Sequence, residues 1–490
     1  MKQLSRIDRL TLVMACASLA GPLSLPAGAQ DSQLGPLIEL SRPNAVGSCD
    51  DGFDVFGTWP LDDAAEPFVA VNPANPKNIV AEWIQGPIQN SVAATSLDGG
   101  RTWQQVPIPL TVCSGGPFLG AADPWLSFSP NGDLHAIGIA GASLADRGIS
   151  VNKSSDGGLH WSALTILFTS ADPNFSADKP SITADSTDSR LVYAVWEVDS
   201  SDRSVSMVSR STDGGQTWEP FRQIYDPGAN NFVTDHTIIV LPGGKPLIFF
   251  SESRFNNLTG LYDTTLSSLR SLDRGQTWSS LTRGPSLPTV QVTDPDTGYP
   301  VASLGDFPPF FSVAVDRSNG NLYAVWEDTQ FSGGQYTSVT FSMSRDGGMN
   351  WSTAIPVNQT PSNIAPGNRQ ALLPSVAVAA DGTIGVSYYD FRFNDPQPGL
   401  PTDMWLVQWN PARGKPPTNP SNWGDEVRLT HNSFDLEKAI TRFGAYFLGD
   451  YEGLTTVRND FVAAFGAVDH DNITSIFARR IYRDGENESE

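Results

Sequence analysis

Ser211-Thr212-Asp213-Gly214-Gly215-Gln216-Thr217-Trp218 is the stretch on which the fold turns. The same phrase, S-x-D-x-G-x-T-W, stands at residues 96–103 and 271–278. Two further copies, with His160 or Asn350 in place of the threonine, fill residues 154–161 and 344–351. Successive copies begin 57 to 73 residues apart. Self-similarity at such a period marks an architecture of stacked repeats.

The phrase has a readable physics. Asp-Gly or Gly-Gly between two apolar runs signals a hairpin, because glycine takes the positive φ of a tight turn. The aspartate can accept backbone N–H bonds within that turn, and the Ser and Thr hydroxyls can satisfy other backbone groups. The tryptophan supplies a large apolar plate to fix the hairpin on its neighbours.

These residue types at this spacing resemble the Asp-box, or BNR repeat, of sialidases and related β-propellers. The resemblance implies that Asp98, Asp156, Asp213, Asp273 and Asp346 are structural and lie on the face away from any active site. It covers nearly all of the chain after its first residues. Phrases such as Asp123-Pro124-Trp125, Asp178-Lys179-Pro180, Tyr388-Tyr389-Asp390 and the run from Gly449 to Leu454 look typical of bacterial exported sialidase-like proteins.

From Glu66 onward each repeat has one internal order. An apolar strand starts after a Pro or an acid, a second ends in Trp, Glu or Asp, a third carries the box at its end, and a fourth follows the box Trp. Short alternating runs between turn residues read as strands rather than helices. First-and-second-strand pairs begin near Pro67, Asp123, Asp178, Asp235, Phe307, Leu373 and Asp450, which makes seven. The sixth and seventh pairs lack a box. The last repeat has three strands ending near Ile481, and a strand within residues 35–43 can supply its missing outer one. The expected fold is all-β: a seven-bladed β-propeller over residues 30–483, closed by its N-terminal strand. A six-bladed sialidase-type propeller with an irregular extension is the alternative.

Residues 1–29 read as a secretory signal, with Lys2, Arg6 and Arg9 before an apolar run and Ala27-Gly28-Ala29 before the cut. Acylation at Cys16 is a second reading of the same segment. No other stretch approaches the ~20 apolar residues of a membrane span. The chain is therefore expected to be secreted or periplasmic. Cleavage would take the formal charge from −22 to −24, which argues against nucleic acid and anionic membranes as partners. Low charge, 44 Gly, 37 Pro and 13 Trp suit a turn-rich β protein. Cys49 and Cys113 remain after cleavage, and in an exported chain a pair of cysteines is expected to bridge. Residues 484–490 form an acidic tail expected to be disordered.

In a propeller the loops entering each first strand and leaving each second strand share one face. That rim is expected to hold Asp123 and Trp125, Asp178 and Lys179, Asp235 and His236, Asp306, Arg369, and Asp450 with Tyr451. Second-strand ends add Trp83, Trp196 and Glu197, Glu252 and Arg254, Trp326 with Glu327 and Asp328, Tyr389 with Asp390 and Arg392, and Asp469 with His470. Aromatics, carboxylates and arginines around one funnel suit a sugar or other polar ligand. The competing reading is that first-strand acids bind backbone N–H groups of the next blade and that the arginines pair internally.

Sialidases use three arginines to hold a substrate carboxylate, a Tyr activated by a Glu as nucleophile, and an Asp as general acid. The resemblance implies Arg254, Arg369 and Arg392 as the clamp and Tyr389 or Tyr451 as nucleophile. It implies Glu252, Glu327 or Glu452 as base, with Asp178 a further catalytic candidate and Trp125, Trp196 and Trp326 lining the sugar site. It thus implies a sialidase-like glycoside hydrolase acting on an anionic glycan at that rim. The family's Phe/Tyr-Arg-Ile-Pro signature has no match here. Two other classes stay open: a lyase in which His236 or His470 abstracts a uronate proton, and a non-catalytic glycan binder or scaffold. The protein is expected to be monomeric and to need no cofactor, with Asp294-Pro295-Asp296-Thr297-Gly298 as a possible calcium loop.

Overall fold

Short runs rich in Val, Ile, Phe and Tyr form strands because such side chains suit a pleated, half-buried surface. The Gly, Pro, Asp and Asn between them turn the chain. The computed structural model describes residues 33–49, 59–87, 89–143, 146–170, 172, 174–302 and 310–483. Residues 1–29, expected to be a signal and including Cys16, and likewise Asp306 and the acidic tail, lie outside these residues.

Among the described residues, seven sheets share one four-stranded antiparallel meander. Sheet one is Ala64–Val71, Ile79–Gln85, Asn90–Ser96 and Gln104–Pro107. Sheets two to six begin at Gly120, Ser176, Asn231, Phe311 and Ala371, and sheet six gains a fifth strand at Phe434–Asp435. Sheet seven runs Gly453–Val457, Asp460–Val468 and Thr474–Ile481, and its outer strand is Ile38–Glu39 from the far end of the chain. The first strand of each sheet packs on that of the next, and sheet seven packs back on sheet one.

The core is therefore divided among the gaps between sheets. One apolar cluster fills each gap: Tyr389 and Leu406 of sheet six meet Phe461 and Phe465 of sheet seven, and Val462 and Ile476 of sheet seven meet Ile79 and Trp83 of sheet one. Gly385 is required in one such gap, since a Cβ there would lie 2.5 Å from a ring carbon of Phe461.

The third strands of sheets one, two, three and five end on the box serine. In the third box Ser211 Oγ donates to Asp213 Oδ1 at 2.9 Å and accepts from Gly215 N at 2.8 Å. Asp213 also accepts from Thr217 N at 2.9 Å and Thr217 Oγ1 at 2.6 Å. His160 and Asn350 replace the threonine without loss, because their side-chain nitrogens meet Asp156 at 2.6 Å and Asp346 at 2.7 Å. Gly215 lies at φ +81°, and a Cβ there would come 2.7 Å from His135 of the preceding sheet, so the box also sets the spacing between sheets.

The hydrogen bonds from Thr217 hold the Asp213 carboxyl down to about 2. A depressed acid contributes stability that is present above its usual pKa near 4 and lost as pH falls toward 2. Asp213→Ala is accordingly expected to lower stability by about 1–2 kcal/mol at neutral pH. The deficit should shrink to a fraction of this at pH 2, and ligand binding by the folded fraction should not change. Thermal melts at both pH values check this; a box variant that melts normally but loses binding would overturn the structural role.

Two long insertions shape the sequence-expected rim. Val292–Thr293 and Pro300–Val301, which lie between sheets four and five, join Thr441–Arg442 and Ala445–Tyr446, which lie between sheets six and seven. Val301 pairs with Tyr446 in parallel, and the rings of Tyr299 and Tyr446 touch at 4.6 Å. Together they form a cap whose apolar side chains continue the core of sheets six and seven. The Asp294 loop lies in this cap. Its carboxylate accepts from Asp296 N at 2.9 Å and from the Thr297 hydroxyl, so its oxygens serve their own turn.

Candidate active site

The first strands of sheets one, two, three, four and six share an irregularity. Their pairing with the second strand slips by a residue at a bulge. A non-glycine residue sits there at positive φ: Glu66 (58°), Asp123 (53°), Lys179 (43°), Asp235 (61°) and Leu373 (49°). Such a backbone is costly for residues with a Cβ and persists where the surroundings fix it. A bulge re-aims the side chain it carries, and here four of the five are titratable.

The four meet. Lys179 Nζ lies 3.2 Å from Asp123 Oδ2 and in direct contact with the Asp450 carboxylate, with the Phe310 ring 5.1 Å away. Asp123 N donates to Glu66 Oε2 at 3.2 Å, and Arg442 of the cap reaches Glu66 at 3.6 Å. Arg147 Nη1 donates to Asp178 Oδ2 at 2.9 Å. Burial alone would lower Lys179, but Asp123, Asp450, Glu66 and Asp178 outweigh it and hold the ammonium charged, well above its usual range. Burial, with Asp123 beside it, pushes Glu66 up to about 8, and burial pushes Asp235 up to about 7. Glu66, Asp123 and Asp450 bring oxygens within 4.8 Å of one another in the manner of a metal site, and the Lys179 ammonium is the cation they share.

Part of this ring is structural. Asp235 Oδ2 accepts from Phe311 N at 3.0 Å, and Glu327 Oε1 accepts from Leu373 N at 2.8 Å, each across to the next sheet. These acids pin neighbouring sheets together.

Asp178 differs, because it stands at the margin of the cluster with a quarter of its side chain exposed. It pairs directly with Glu197, and Asp199 lies two residues further along the same strand, on the same face. Asp199 is half-buried, accepts from Ser204 Oγ at 2.6 Å, and is pushed up to about 6 by burial and by Asp178. Burial and Asp123 also raise Asp178, while Lys179 and Arg147 oppose the rise. Two carboxyls of unequal environment thus share the end of one strand pair, with a guanidinium against one of them.

Several expected site residues are placed elsewhere. Tyr389 is fully buried and its hydroxyl donates to Gly466 O at 2.6 Å, so no substrate reaches it. Tyr451 donates to Pro124 O at 3.0 Å, and burial and Glu66 hold its proton on. Trp196 and Trp326 are core residues. Trp125 stacks on Phe68 at 4.1 Å and meets the edge of Tyr451 at the inner ring. His236 is buried, with Nδ1 3.1 Å from Glu197 and Nε2 2.7 Å from Ser206 Oγ, and burial lowers it to about 3. It is a neutral packing residue without a path to a uronate proton. His470 is exposed beside Asp471 at 3.5 Å.

The three arginines do not form a clamp with free ends. Arg392 is bound by Asp390 and Glu426 and stacked 3.6 Å over Trp405. Arg369 donates to Ile364 O at 2.9 Å and lies over the Tyr336 ring. Arg254 is half-exposed and shares Glu252 with Arg283, whose Nε lies 2.6 Å from that carboxylate. Glu252 itself is buried and accepts from Tyr225.

Glu66, Arg147, Asp199 and Arg442 were missed by the sequence reading. One signal was available: Glu66, Asp123, Lys179 and Asp235 are spaced 57, 56 and 56 residues apart. That is the repeat period applied to charge instead of to the boxes.

Comparison with known proteins gives three kinds of likeness. Residues 209–220 match the family described as BNR/Asp-box repeat. Over 209 residues the chain is 27% identical to a xyloglucanase of Paenibacillus sp, a match covering 42% of this chain and 18% of that protein. The chain therefore spans less than a fifth of that relative's length. Among solved structures, an α-L-arabinanase of Penicillium chrysogenum complexed with arabinobiose has 17% identity over 68% of this chain and 91% of its own, with a TM-score of 0.46. A leech intramolecular trans-sialidase has 9% identity over 92% and 97%, also at 0.46.

Proposed function

We propose that the protein is an exported glycoside hydrolase, a seven-bladed propeller closed by its N-terminal strand, that cleaves a glycan between Asp178 and Asp199. The blade count rests on the seven similar sheets, the apolar cluster in each gap and the pairing of Ile38–Glu39 with the last strand. Export rests on the signal-like residues 1–29 and on the disulfide between Cys49 and Cys113.

The observation that carries the reaction is the carboxyl pair. Glycoside hydrolysis asks for one carboxyl that keeps its proton and another that does not. Asp199, raised to about 6, is the acid: it protonates the leaving oxygen as the glycosidic C–O bond breaks. Asp178, whose anion Arg147 and Lys179 support against the rise that burial and Asp123 impose, takes the proton of the water that bonds to the anomeric carbon. Arginines committed to Asp390, Glu426 and Glu252 favour this carboxylate chemistry over a sialidase clamp.

Reducing-sugar release from a panel of aryl glycosides and polysaccharides tests the reading. Asp199→Asn is expected to lower kcat by about a hundredfold. Wild-type activity should fall as pH rises through about 6, since the proton that Asp199 gives is then lost, and the variant should lack that limb. Arg254→Ala should leave turnover unchanged. No release across the panel, or full turnover in both Asp178→Asn and Asp199→Asn, would sink the assignment.

A further inference from the structure

Sheet four outreaches its neighbours. Its second and third strands, Lys245–Asn256 and Leu261–Arg270, run to 12 and 10 residues, against 8 and 8 in sheet three. The surplus forms a hairpin on the sequence-expected rim whose apolar side chains are left in water. Phe255 is 40% exposed, Tyr262 44%, Leu261 68% and Leu258 96%.

The hairpin is not a loose tip. Phe255 and Tyr262 are direct cross-strand partners, and Phe232 opposite Ser253 stands on the same face. Their rings meet edge to face: Phe255 to Tyr262 at 5.4 Å and Phe232 to Tyr262 at 5.9 Å. The hairpin is held stiff on both faces: Ser253 and Thr264, buried beneath the rings, join at 2.8 Å, and on the other face Asn256 donates to Asp263 at 2.8 Å. Rigid, half-exposed rings complement a sugar, whose C–H face stacks on them.

The patch also continues the carboxyl pair. The turn after Asp199 is tied to the strand that leads into Phe232: Asn230 N donates to Asp202 O at 2.7 Å, and Arg203 bridges Asn231. Asn231 Oδ1 in turn accepts from Phe255 N at 3.0 Å. A chain cleaved at Asp199 thus has an aromatic surface one hydrogen-bonded turn away. Apolar rings held in water cost the fold about 25 cal/mol for each Å² left uncovered, which a ligand recovers on stacking.

We propose that Phe232, Phe255 and Tyr262 form a platform for sugars distant from the cleaved bond, so that the substrate is a polymeric glycan rather than a single terminal residue. This deepens the reading of Asp178 and Asp199 as the cleaving pair and rests on it. Affinity electrophoresis in gels containing hydroxyethylcellulose, xylan or polygalacturonate tests the platform without catalysis. The wild type should be retarded by at least one gel. F255A/Y262A and Y262A alone should lose retardation, the double variant by about tenfold, the effect of ~1.4 kcal/mol, while Tm and turnover of a short aryl glycoside stay as in the wild type. Asp199→Asn should be retarded like the wild type, so a failure of the cleavage reading would leave this result standing. Equal retardation of wild type and F255A/Y262A, or no retardation of the wild type in any gel, would overturn the platform.

Discussion

Arg392→Met is expected to lower the unfolding free energy by about 3–5 kcal/mol at pH 7, the cost of stranding buried charges without their partner. The Arg392 side chain is 7% exposed and that of Asp390 not at all. Its Nε lies 3.0 and 2.8 Å from the two Asp390 oxygens, and Nη1 and Nη2 lie 2.7 and 3.1 Å from those of Glu426. Nη2 also donates to the Tyr388 hydroxyl at 3.1 Å. Burial already pushes Asp390 up to about 6 with the arginine in place. Without it the carboxyl climbs further, and a folded-state acid raised above its unfolded value costs more stability as pH rises past about 4. The variant should therefore be nearer the wild type at pH 5 than at pH 8. Urea unfolding at the two pH values decides the matter. A variant as stable as the wild type but unable to bind glycan would return Arg392 to the role of a substrate clamp.

Arg392 also shows what the sequence could and could not disclose. The boxes were legible because their chemistry closes within eight residues: Asp213 bonds to Ser211, Gln216 and Thr217, and each partner is in the phrase. The strand order followed from alternation. What alternation does not fix is where a strand ends relative to its neighbours. Tyr388 and Tyr389 stand side by side and point to opposite faces, and both hydroxyls end inside the protein, one on Glu426 and the other on Gly466 of the next sheet. From the sequence either could have faced the funnel. Asp199 was hidden for a related reason. Its proton affinity comes from Asp178 on the neighbouring strand and from burial, which only the assembled sheet supplies. The cap was hidden by distance, since Val301 and Tyr446 pair from beyond either end of sheets five and six.

Breaking the disulfide should have an effect of similar size by a different route. Cys49 and Cys113 are joined across 64 residues, a loop that holds the whole of sheet one. In the chain-entropy account a link across that many residues restricts the unfolded chain by about 4 kcal/mol. Here the link also anchors the N-terminal segment at its second end. The first end is held on sheet seven, where Ile38 and Glu39 pair with Ala478 and Phe477 and Ile476 N donates to Ser41 Oγ at 2.9 Å. Gln105 of sheet one donates to Leu40 O at 2.6 Å between the two anchors. The segment thus ties sheet seven to the connection between sheets one and two. C49S/C113S is expected to unfold at lower urea concentration by about 4 kcal/mol, and the gap between sheets seven and one should be the first to open. Backbone amide exchange would show this as faster exchange at Leu40 and Ile476, with sheets three and four unchanged. If oxidised and reduced protein unfold at the same urea concentration, the segment is held by its hydrogen bonds alone and the disulfide adds nothing to closure.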